Sequence, residues 1–190
     1  MSIAGLILAG GKGSRFGGAD KAFIQLAGRP LVEHVLARLQ PQVSRMAISA
    51  NGDPARFMAY GLPVLPDDEA FQDSGPLAGV LSGLRWAAMQ KMDFLLTSPV
   101  DTPFLPVDLH ALLWPGPSVV VQNGHMQPLA ALWSVDFAAG LEAFLRQPGR
   151  HKVSAALACC QARRVLFSGP DEAFANLNSA DDMAAYASSR

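Results

Sequence analysis

Residues 4–21, near the amino terminus, read AGLILAGGKGSRFGGADK. The apolar run at 4–8 is stopped by glycines, a pattern that predicts a short buried strand. Five glycines then occur between Gly10 and Gly18, and this many glycines make a regular helix or strand costly. Residues 9–21 are therefore predicted to form a loop directly after the first strand.

Apolar strands and helical patterns alternate along the first half of the chain. Strands are predicted at residues 4–8, 46–49, 63–65 and 94–97, with helices at 31–39, 54–60 and 76–90 between them. This alternation predicts a three-layer α/β/α fold with a mostly parallel sheet and right-handed crossovers.

The pattern becomes less regular beyond residue 105. Helices are predicted at 109–114, 137–145, 153–160 and 181–186, and strands at 118–122, 129–133 and 165–167. We interpret residues 1–190 as one domain with two halves, 1–104 and 105–190. Trp86, Met89 and Trp114 are predicted to belong to the core, and His34 to the exposed face of the first helix.

Composition limits the classes of partner and the compartment. The 190 residues are 50% hydrophobic and carry a formal net charge of -1, so no overall field attracts the chain to nucleic acid or to a membrane surface. Cys159 and Cys160 are adjacent, which suits neither an ordinary disulfide nor a metal cage. The apolar run at 3–9 is too short for a membrane span. We expect a cytoplasmic protein in a reducing compartment.

The glycine-rich loop does not match two common phosphate-binding motifs. A Walker loop requires Gly-Lys-Ser/Thr at its end, whereas this chain has Gly18-Ala19-Asp20. A dinucleotide-binding motif requires a third glycine, where this chain has Phe16. The loop nevertheless combines accessible backbone amides with the cations Lys12, Arg15 and Lys21. This combination favours the binding of a triphosphate over an ordinary surface loop.

Polar side chains follow other predicted strands, at the edge where open α/β sheets bind ligands. Asp101 ends the fourth strand, and a carboxylate beside a triphosphate suits Mg²⁺; the alternative is a turn cap for Thr102 and Pro103. Asn51 ends the second strand and either contacts the base or ribose or forms a turn with Gly52.

The chain resembles the molybdenum cofactor guanylyltransferases, which are nucleotidyltransferases with a Rossmann-like, GT-A-like fold. The resemblance begins with the loop at 8–21 and covers nearly the whole chain. It continues through further blocks in the same order: 28–31 (GRPL), 49–51 (SAN), 75–79 (GPLAG), 99–104 (PVDTPF), 128–129 (PL) and 174–178 (FANLN). Phe16 and Val100 depart from the usual Met and Cys of the family, and both are apolar exchanges.

The resemblance implies a reaction and its substrates. The terminal phosphate of molybdopterin, or of its molybdenum-bearing form, would attack the α-phosphate of GTP and release pyrophosphate, with Mg²⁺ as cofactor. Residues 1–104 would bind the nucleotide and 105–190 the acceptor. Transient contacts with molybdoenzymes or other cofactor-biosynthesis proteins would follow. A cytidylyltransferase, a sugar-phosphate nucleotidyltransferase and a non-catalytic cofactor carrier are the alternatives.

The resemblance also implies roles for individual residues. Arg15, Lys21 and Asp101 would be catalytic, and Asp101 would also bind the metal. Asp67 is preferred over Asp68 as a nucleotide contact because it lies nearer the strand end. Asn176 and Asn178 would lie near the metal and the second substrate. The full set of predicted nucleotide and metal contacts is Leu8, Ala9, Gly10, Gly11, Lys12, Gly13, Lys21, Asn51, Asp67, Gly75, Pro76, Leu77, Gly79, Asp101, Asn176 and Asn178.

Basic residues of the second half have two interpretations. Arg150, Lys152, Arg163 and Arg164 either contact the pterin phosphate or form a solvated face, and the solvated face is preferred. The four histidines lack the spacing of a zinc site.

Overall fold

The first strand, β1 (Ile3–Leu8), lies in the middle of the sheet and is buried along its whole length. A computed structural model describes residues 1–10, 20–149 and 151–177. In it, β1 pairs in parallel with β4 (Arg45–Ser49) on one side and with β6 (Phe94–Pro99) on the other. A strand paired on both sides and buried on both faces is typical of a parallel α/β sheet.

Seven strands form one sheet that joins the two halves of the chain. Besides β1, β4 and β6 it contains β5 (Val64–Leu65), β7 (Ser118–Gln122), β8 (His125–Ser134) and β9 (Arg163–Phe167). The strand order is β5-β4-β1-β6-β8-β7-β9, and β8 is antiparallel to both of its neighbours. The prediction of a mostly parallel α/β sheet is confirmed.

Helices cover both faces of the sheet. Helix α1 (Leu31–Leu39) packs its buried face, including Val35, with Ile7 and Ile48. Helix α2 (Pro76–Met89) packs on the opposite face with Leu6 and Leu8. These two apolar clusters give the three layers that the alternation of elements predicts. The second half contributes α3 (Leu109–Leu113), α4 (Ala138–Leu145) and α5 (Val153–Cys159).

Helix α2 lies very close to the sheet because of two glycines. A Cβ at Gly79 would overlap Oγ of Ser49, and a Cβ at Gly83 would meet the side chains of Leu6 and Leu95. Pro76 occupies the first turn of this helix, where its missing N–H costs nothing. The helix N-terminus is thereby held at the carboxyl edge of the parallel strands.

Several elements differ from the sequence predictions. Residues 54–60 form a 3-10 helix, and a hairpin of β2 (Gln25–Leu26) and β3 (Arg29–Pro30) was not predicted. Strand β8 is longer than the predicted 129–133.

The predicted core residues are only partly confirmed. Trp86 is buried as predicted, but Met89 and Trp114 are 72% and 45% exposed, so their assignment to the core is wrong.

His34 is partly buried rather than exposed, and its Nε2 lies 2.8 Å from the carbonyl oxygen of Leu26. The predicted helix at 181–186 lies outside the described residues. None of the helices within 1–10, 20–149 and 151–177 has the length and apolar character needed to cross a membrane.

Candidate active site

The loop after β1 begins between the ends of two neighbouring strands. The N–H of Ala9 donates to the carbonyl of Ser49 at 2.9 Å, and the N–H of Val100 donates to the carbonyl of Leu8 at 3.1 Å. Leu8 and Ala9 are buried, whereas Gly10 is exposed. The side chain of Leu8 is therefore part of the core, and a ligand at this edge meets the backbone near Gly10.

Lys21 and Asp101 meet at this edge although 80 residues separate them in the chain. Nζ of Lys21 donates to Oδ2 of Asp101 at 2.6 Å. The two side chains are only 22% and 19% exposed, so solvent screens their charges less than it screens those of a surface pair. The structure thus brings together two of the three predicted catalytic residues.

The second carboxylate oxygen of Asp101 is left for another ligand. Within the described part of the chain, Oδ1 is buried and has no hydrogen-bond partner. A buried carboxylate oxygen without a partner is costly, and such hard oxygens are the ligands that Mg²⁺ prefers. Asp101 therefore fits a divalent cation, which it would hold through Oδ1.

Neighbouring contacts hold the turn that carries Asp101. Oγ1 of Thr102 donates to the carbonyl of Pro99 at 2.9 Å, and Thr102 is 3% exposed. The N–H of Leu177 donates to the carbonyl of Asp101 at 2.9 Å. These two hydrogen bonds therefore hold the turn that positions the carboxylate of Asp101.

Asn176 and Asp101 line the same cavity. Its volume is about 250 Å³, and Gln127, Pro128 and Leu129 at the start of β8 complete one wall. The 3-10 helix Asp171–Phe174 precedes Asn176 and is tied to β7 because Nε2 of Gln122 donates to the carbonyl of Pro170 at 2.8 Å. The second half of the chain therefore supplies one side of the site.

Asn51 and Asp67 pair with each other at the ends of β4 and β5. Nδ2 of Asn51 donates to Oδ2 of Asp67 at 2.7 Å, and the N–H of Asp67 donates to Oδ1 of Asn51 at 2.8 Å. This double contact holds two predicted nucleotide ligands side by side.

Asp68 is engaged in structural contacts instead. Its carboxylate accepts from the N–H of Ala70 and pairs with Arg85 at 2.7 Å. These interactions, the hydrogen bond from Ala70 first and that from Arg85 second, hold the pKa of Asp68 below its ordinary value. The preference for Asp67 over Asp68 as the nucleotide contact stays a prediction.

The predicted contacts at 75–79 divide into exposed and packed residues. Gly75 and Pro76 are exposed at the start of α2, whereas Leu77 is fully buried. Gly79 packs against Ser49 and Leu8. Only the backbone at the first turn of the helix is therefore open to a ligand. Gly75 has a φ of 63°, which favours glycine.

Some predicted residues lie outside the described part of the chain. These are Gly11, Lys12, Gly13, Arg15 and Asn178, together with Arg150. Their proposed roles stay predictions. Lys152, Arg163 and Arg164 are exposed, and a guanidinium nitrogen of Arg163 donates to the backbone carbonyls of Trp114 and Pro115 at 3.1 Å. Exposure of these three residues is compatible with both interpretations, and the preferred solvated face stays a prediction.

Sequence reasoning missed Arg56, which links the loops on two sides of the site. Its Nε lies 2.7 Å from Oδ2 of Asp20, and its Nη2 donates to the carbonyl of Asn51 at 2.7 Å. No spacing rule connects Asp20 with Arg56, because the contact depends on the order of the strands in the folded sheet.

Within the described ranges, no group of three or more His, Cys, Asp or Glu is arranged to hold a metal ion.

Comparisons of the sequence with known proteins identify its family. Residues 5–180 match the model of the MobA-like NTP transferase domain. The chain is 51% identical over 189 residues to a molybdenum cofactor guanylyltransferase of Cereibacter sphaeroides, covering 97% of this chain and 95% of that one. It is 46% identical over 181 residues to a protein of the same name from Acidiphilium cryptum (strain JF-5), with coverages of 95% and 92%.

A solved structure shows the same fold. Molybdopterin-guanine dinucleotide biosynthesis protein A from Archaeoglobus fulgidus superimposes with a TM-score of 0.73 at 20% sequence identity, covering 97% of each chain. At this identity the likeness concerns the fold, which is the Rossmann-like α/β fold expected from the sequence.

Proposed function

The chain belongs to the family of MobA-like NTP transferase domains, and from this premise we propose that it is a molybdenum cofactor guanylyltransferase. It transfers GMP from GTP to the terminal phosphate of molybdopterin, forms the guanine dinucleotide of the cofactor and releases pyrophosphate. The names of relatives that are 46% and 51% identical over nearly their whole length support this reaction.

One observation carries the proposal. Lys21 and Asp101 form a shielded ion pair, with Nζ and Oδ2 2.6 Å apart, where the parallel strands end. A cation can neutralise the charge that develops on a triphosphate, and a carboxylate oxygen can bind a metal ion beside it. We assign Mg²⁺ to Oδ1 of Asp101; when bound, this ion supplies positive charge beside the phosphate oxygens.

The chemistry is a single displacement at phosphorus. An oxygen of the molybdopterin phosphate forms a bond to the α-phosphorus of GTP, and the bond from that phosphorus to the bridging oxygen breaks. Pyrophosphate leaves with the bonding electron pair. The attacking oxygen is already an anion, so no strong general base is needed. The protein therefore contributes positioning and neutralisation of charge.

Different residues of the site contact the phosphates, the nucleoside and the acceptor in this reaction. Lys21, and by resemblance Arg15 and Lys12, oppose the charge on the α-phosphate and on the departing pyrophosphate. Asn51 and Asp67 face the nucleoside. Asn176 and the start of β8 face the acceptor, because they line the cavity next to Asp101.

The alternative functions differ from this one in base or in chemistry. Another nucleotidyltransferase would use CTP or a sugar phosphate, and a carrier would bind the pterin without catalysis. The Lys21–Asp101 pair favours catalysis, since a carrier has no need of a metal ligand at an α-phosphate. Family membership favours guanine over cytosine.

A product assay tests the proposed function. The protein is incubated with molybdopterin, Mg²⁺ and equal concentrations of radiolabelled GTP, CTP and ATP. We expect the guanine dinucleotide as the dominant product, with one pyrophosphate released for each molecule formed. A cytosine dinucleotide would assign the chain to the related cytidylyltransferases. Binding of the pterin without release of pyrophosphate would contradict catalysis altogether.

Two further expectations stay predictions. We propose that the reaction takes place in the cytoplasm and that the product is passed on through transient contacts with molybdoenzymes or other cofactor-biosynthesis proteins.

A further inference from the structure

Asp20 links Lys21 to the rest of the fold. Oδ1 of Asp20 accepts from the N–H of Ala22 at 3.1 Å, which makes Asp20 the N-cap of the 3-10 helix Lys21–Phe23. An N-cap fixes the direction in which the first residues of a helix leave the preceding loop. Lys21 is the first residue of this helix, so the orientation of Asp20 influences where the lysine points.

Arg56 holds the other oxygen of the same carboxylate. Its Nε lies 2.7 Å from Oδ2 of Asp20. Nε is buried, and its N–H is not aligned with an acceptor among the described residues, so the contact is an ion pair and not an aligned hydrogen bond. The side chains are 29% and 31% exposed. Asp20 is therefore held between a backbone amide on one side and a guanidinium on the other.

The remaining nitrogens of Arg56 fix the loop after β4. Nη2 donates to the carbonyl of Asn51 at 2.7 Å, and Nη1 donates to the carbonyl of Asp53 at 2.9 Å. Gly52 has a φ of 83°, and a Cβ there would lie 3.2 Å from Nη1. The loop thus closes tightly around the guanidinium, in a conformation that glycine adopts readily.

Aromatic side chains also hold the guanidinium of Arg56 in place. The guanidinium carbon of Arg56 lies 4.8 Å from the centroid of the Phe57 ring, within the range of a cation–π interaction. Phe57 is fully buried and packs against Phe23, with ring centroids 5.1 Å apart. Phe23 ends the short helix that Lys21 begins. Arg56 and that short helix therefore pack against the same buried ring, that of Phe57.

We infer that Asp20 and Arg56 form a positioning pair that holds Lys21 on the phosphate side of the site and couples it to Asn51 on the nucleoside side. This inference rests on the proposed function and extends it to two residues outside the predicted site. Neither residue is assigned a contact with substrate. Their effect on turnover would be indirect, through the placement of Lys21 and of the loop that carries Asn51.

Two variants that remove a charge distinguish the contact of Arg56 with Asp20 from its contact with the loop that carries Asn51. Asp20→Asn keeps an N-cap, since asparagine caps as well as aspartate, but loses the charge that pairs with Arg56. We expect kcat to fall about tenfold, because a small misplacement of a catalytic group is enough for such a loss, while the equilibrium affinity for GTP changes less than about twofold. Arg56→Gln breaks both links, so we expect it to lower kcat similarly and to weaken GTP binding as well.

Three further variants distinguish positioning from general destabilisation. The double variant Asp20→Asn/Arg56→Gln should have a kcat no lower than that of Arg56→Gln, because the two groups act through one contact. Arg56→Lys should have a kcat between those of Arg56→Gln and the wild type. Its ammonium group can pair with Asp20, but it cannot also donate to the carbonyls of Asn51 and Asp53. Glu142→Gln is the matched control: it removes a carboxylate that lies 2.7 Å from Arg85 and from Arg146, and kcat should stay unchanged.

A crystal structure of the Asp20→Asn variant provides a measurement that does not depend on turnover. We expect Nζ of Lys21 to leave Oδ2 of Asp101. An unchanged Lys21–Asp101 contact, a kcat within twofold of the wild type, or losses that multiply in the double variant would each overturn the inference.

The proposed function fails separately from this inference. It fails if the wild-type protein makes no guanine dinucleotide. The ratios between variants and wild type are measured with whichever nucleoside triphosphate the wild type uses, and the crystal structure needs none.

Discussion

Replacing Asp101 with alanine is expected to lower turnover by at least about a hundredfold, the order of effect seen when one electrostatic transition-state group is removed. The carboxylate contributes through both oxygens. Oδ2 accepts from Nζ of Lys21 at 2.6 Å, and Oδ1, which has no hydrogen-bond partner among the described residues, is the proposed metal ligand. The fold should survive, because the hydrogen bond from Leu177 goes to the backbone carbonyl of Asp101, which alanine retains.

The measurement is kcat with GTP and molybdopterin over a range of Mg²⁺ concentrations. Asp101→Ala should also raise the Mg²⁺ concentration that gives half-maximal turnover, which a purely structural defect would not do. Asp93→Ala is the matched control, since Asp93 lies just before β6 whereas Asp101 lies just after it. Its carboxylate accepts from the N–H of Ser2 at 2.6 Å, away from the site. Unchanged turnover in Asp101→Ala would remove the metal assignment.

Replacing Lys21 with methionine is expected to have an effect of similar size. Methionine keeps an unbranched, flexible side chain but removes the charge that would neutralise the α-phosphate and pyrophosphate, so kcat should fall at least about a hundredfold. The free energy of unfolding should also fall, because the variant leaves the carboxylate of Asp101, which is only 19% exposed, without its cationic partner. Kinetics and thermal unfolding of the same preparation separate these two quantities.

Lys91→Met is the control for this variant. Lys91 is exposed in the turn before β6, and its replacement should leave kcat unaltered. Equal kcat values for Lys21→Met and Lys91→Met would show that the lysine beside Asp101 has no part in the chemistry.

The sequence predicted the central part of the fold because local and global signals agree there. The apolar run of β1 is stopped by glycines, and Pro30 and Pro41 flank α1. Because the carboxyl ends of parallel strands meet at one edge of the sheet, the sequence also predicted Asn51, Asp67 and Asp101 at that edge. The family resemblance implied catalytic roles for Lys21 and Asp101, whereas the contact between them was found only in the structure.

Other features could not be predicted, for identifiable physical reasons. The amino-terminal part of β8 contains His125, Gln127 and Pro128, which do not resemble a buried strand, and its place in the sheet depends on pairing with β7. Met89 and Trp114 are exposed because residue type alone does not determine burial. The contact of Arg56 with Asp20 depends on the order of β1 and β4 in the sheet, which no local pattern encodes.

The choice between Asp67 and Asp68 shows the same limit within the site. Both acids lie just after β5, and the sequence favours Asp67 only because it is nearer the strand end. The structure adds their contacts: Asp68 caps the 3-10 helix Glu69–Phe71 and pairs with Arg85, whereas Asp67 pairs with Asn51.

A crystal structure of the protein with GTP and Mg²⁺, in the absence of molybdopterin, tests the central claim most directly. We predict that the triphosphate lies at the carboxyl edge of the parallel strands against Lys21, with the metal bound to Oδ1 of Asp101 and the nucleoside beside Asn51 and Asp67. A nucleotide bound at another surface, or a metal that does not contact Asp101, would contradict the account.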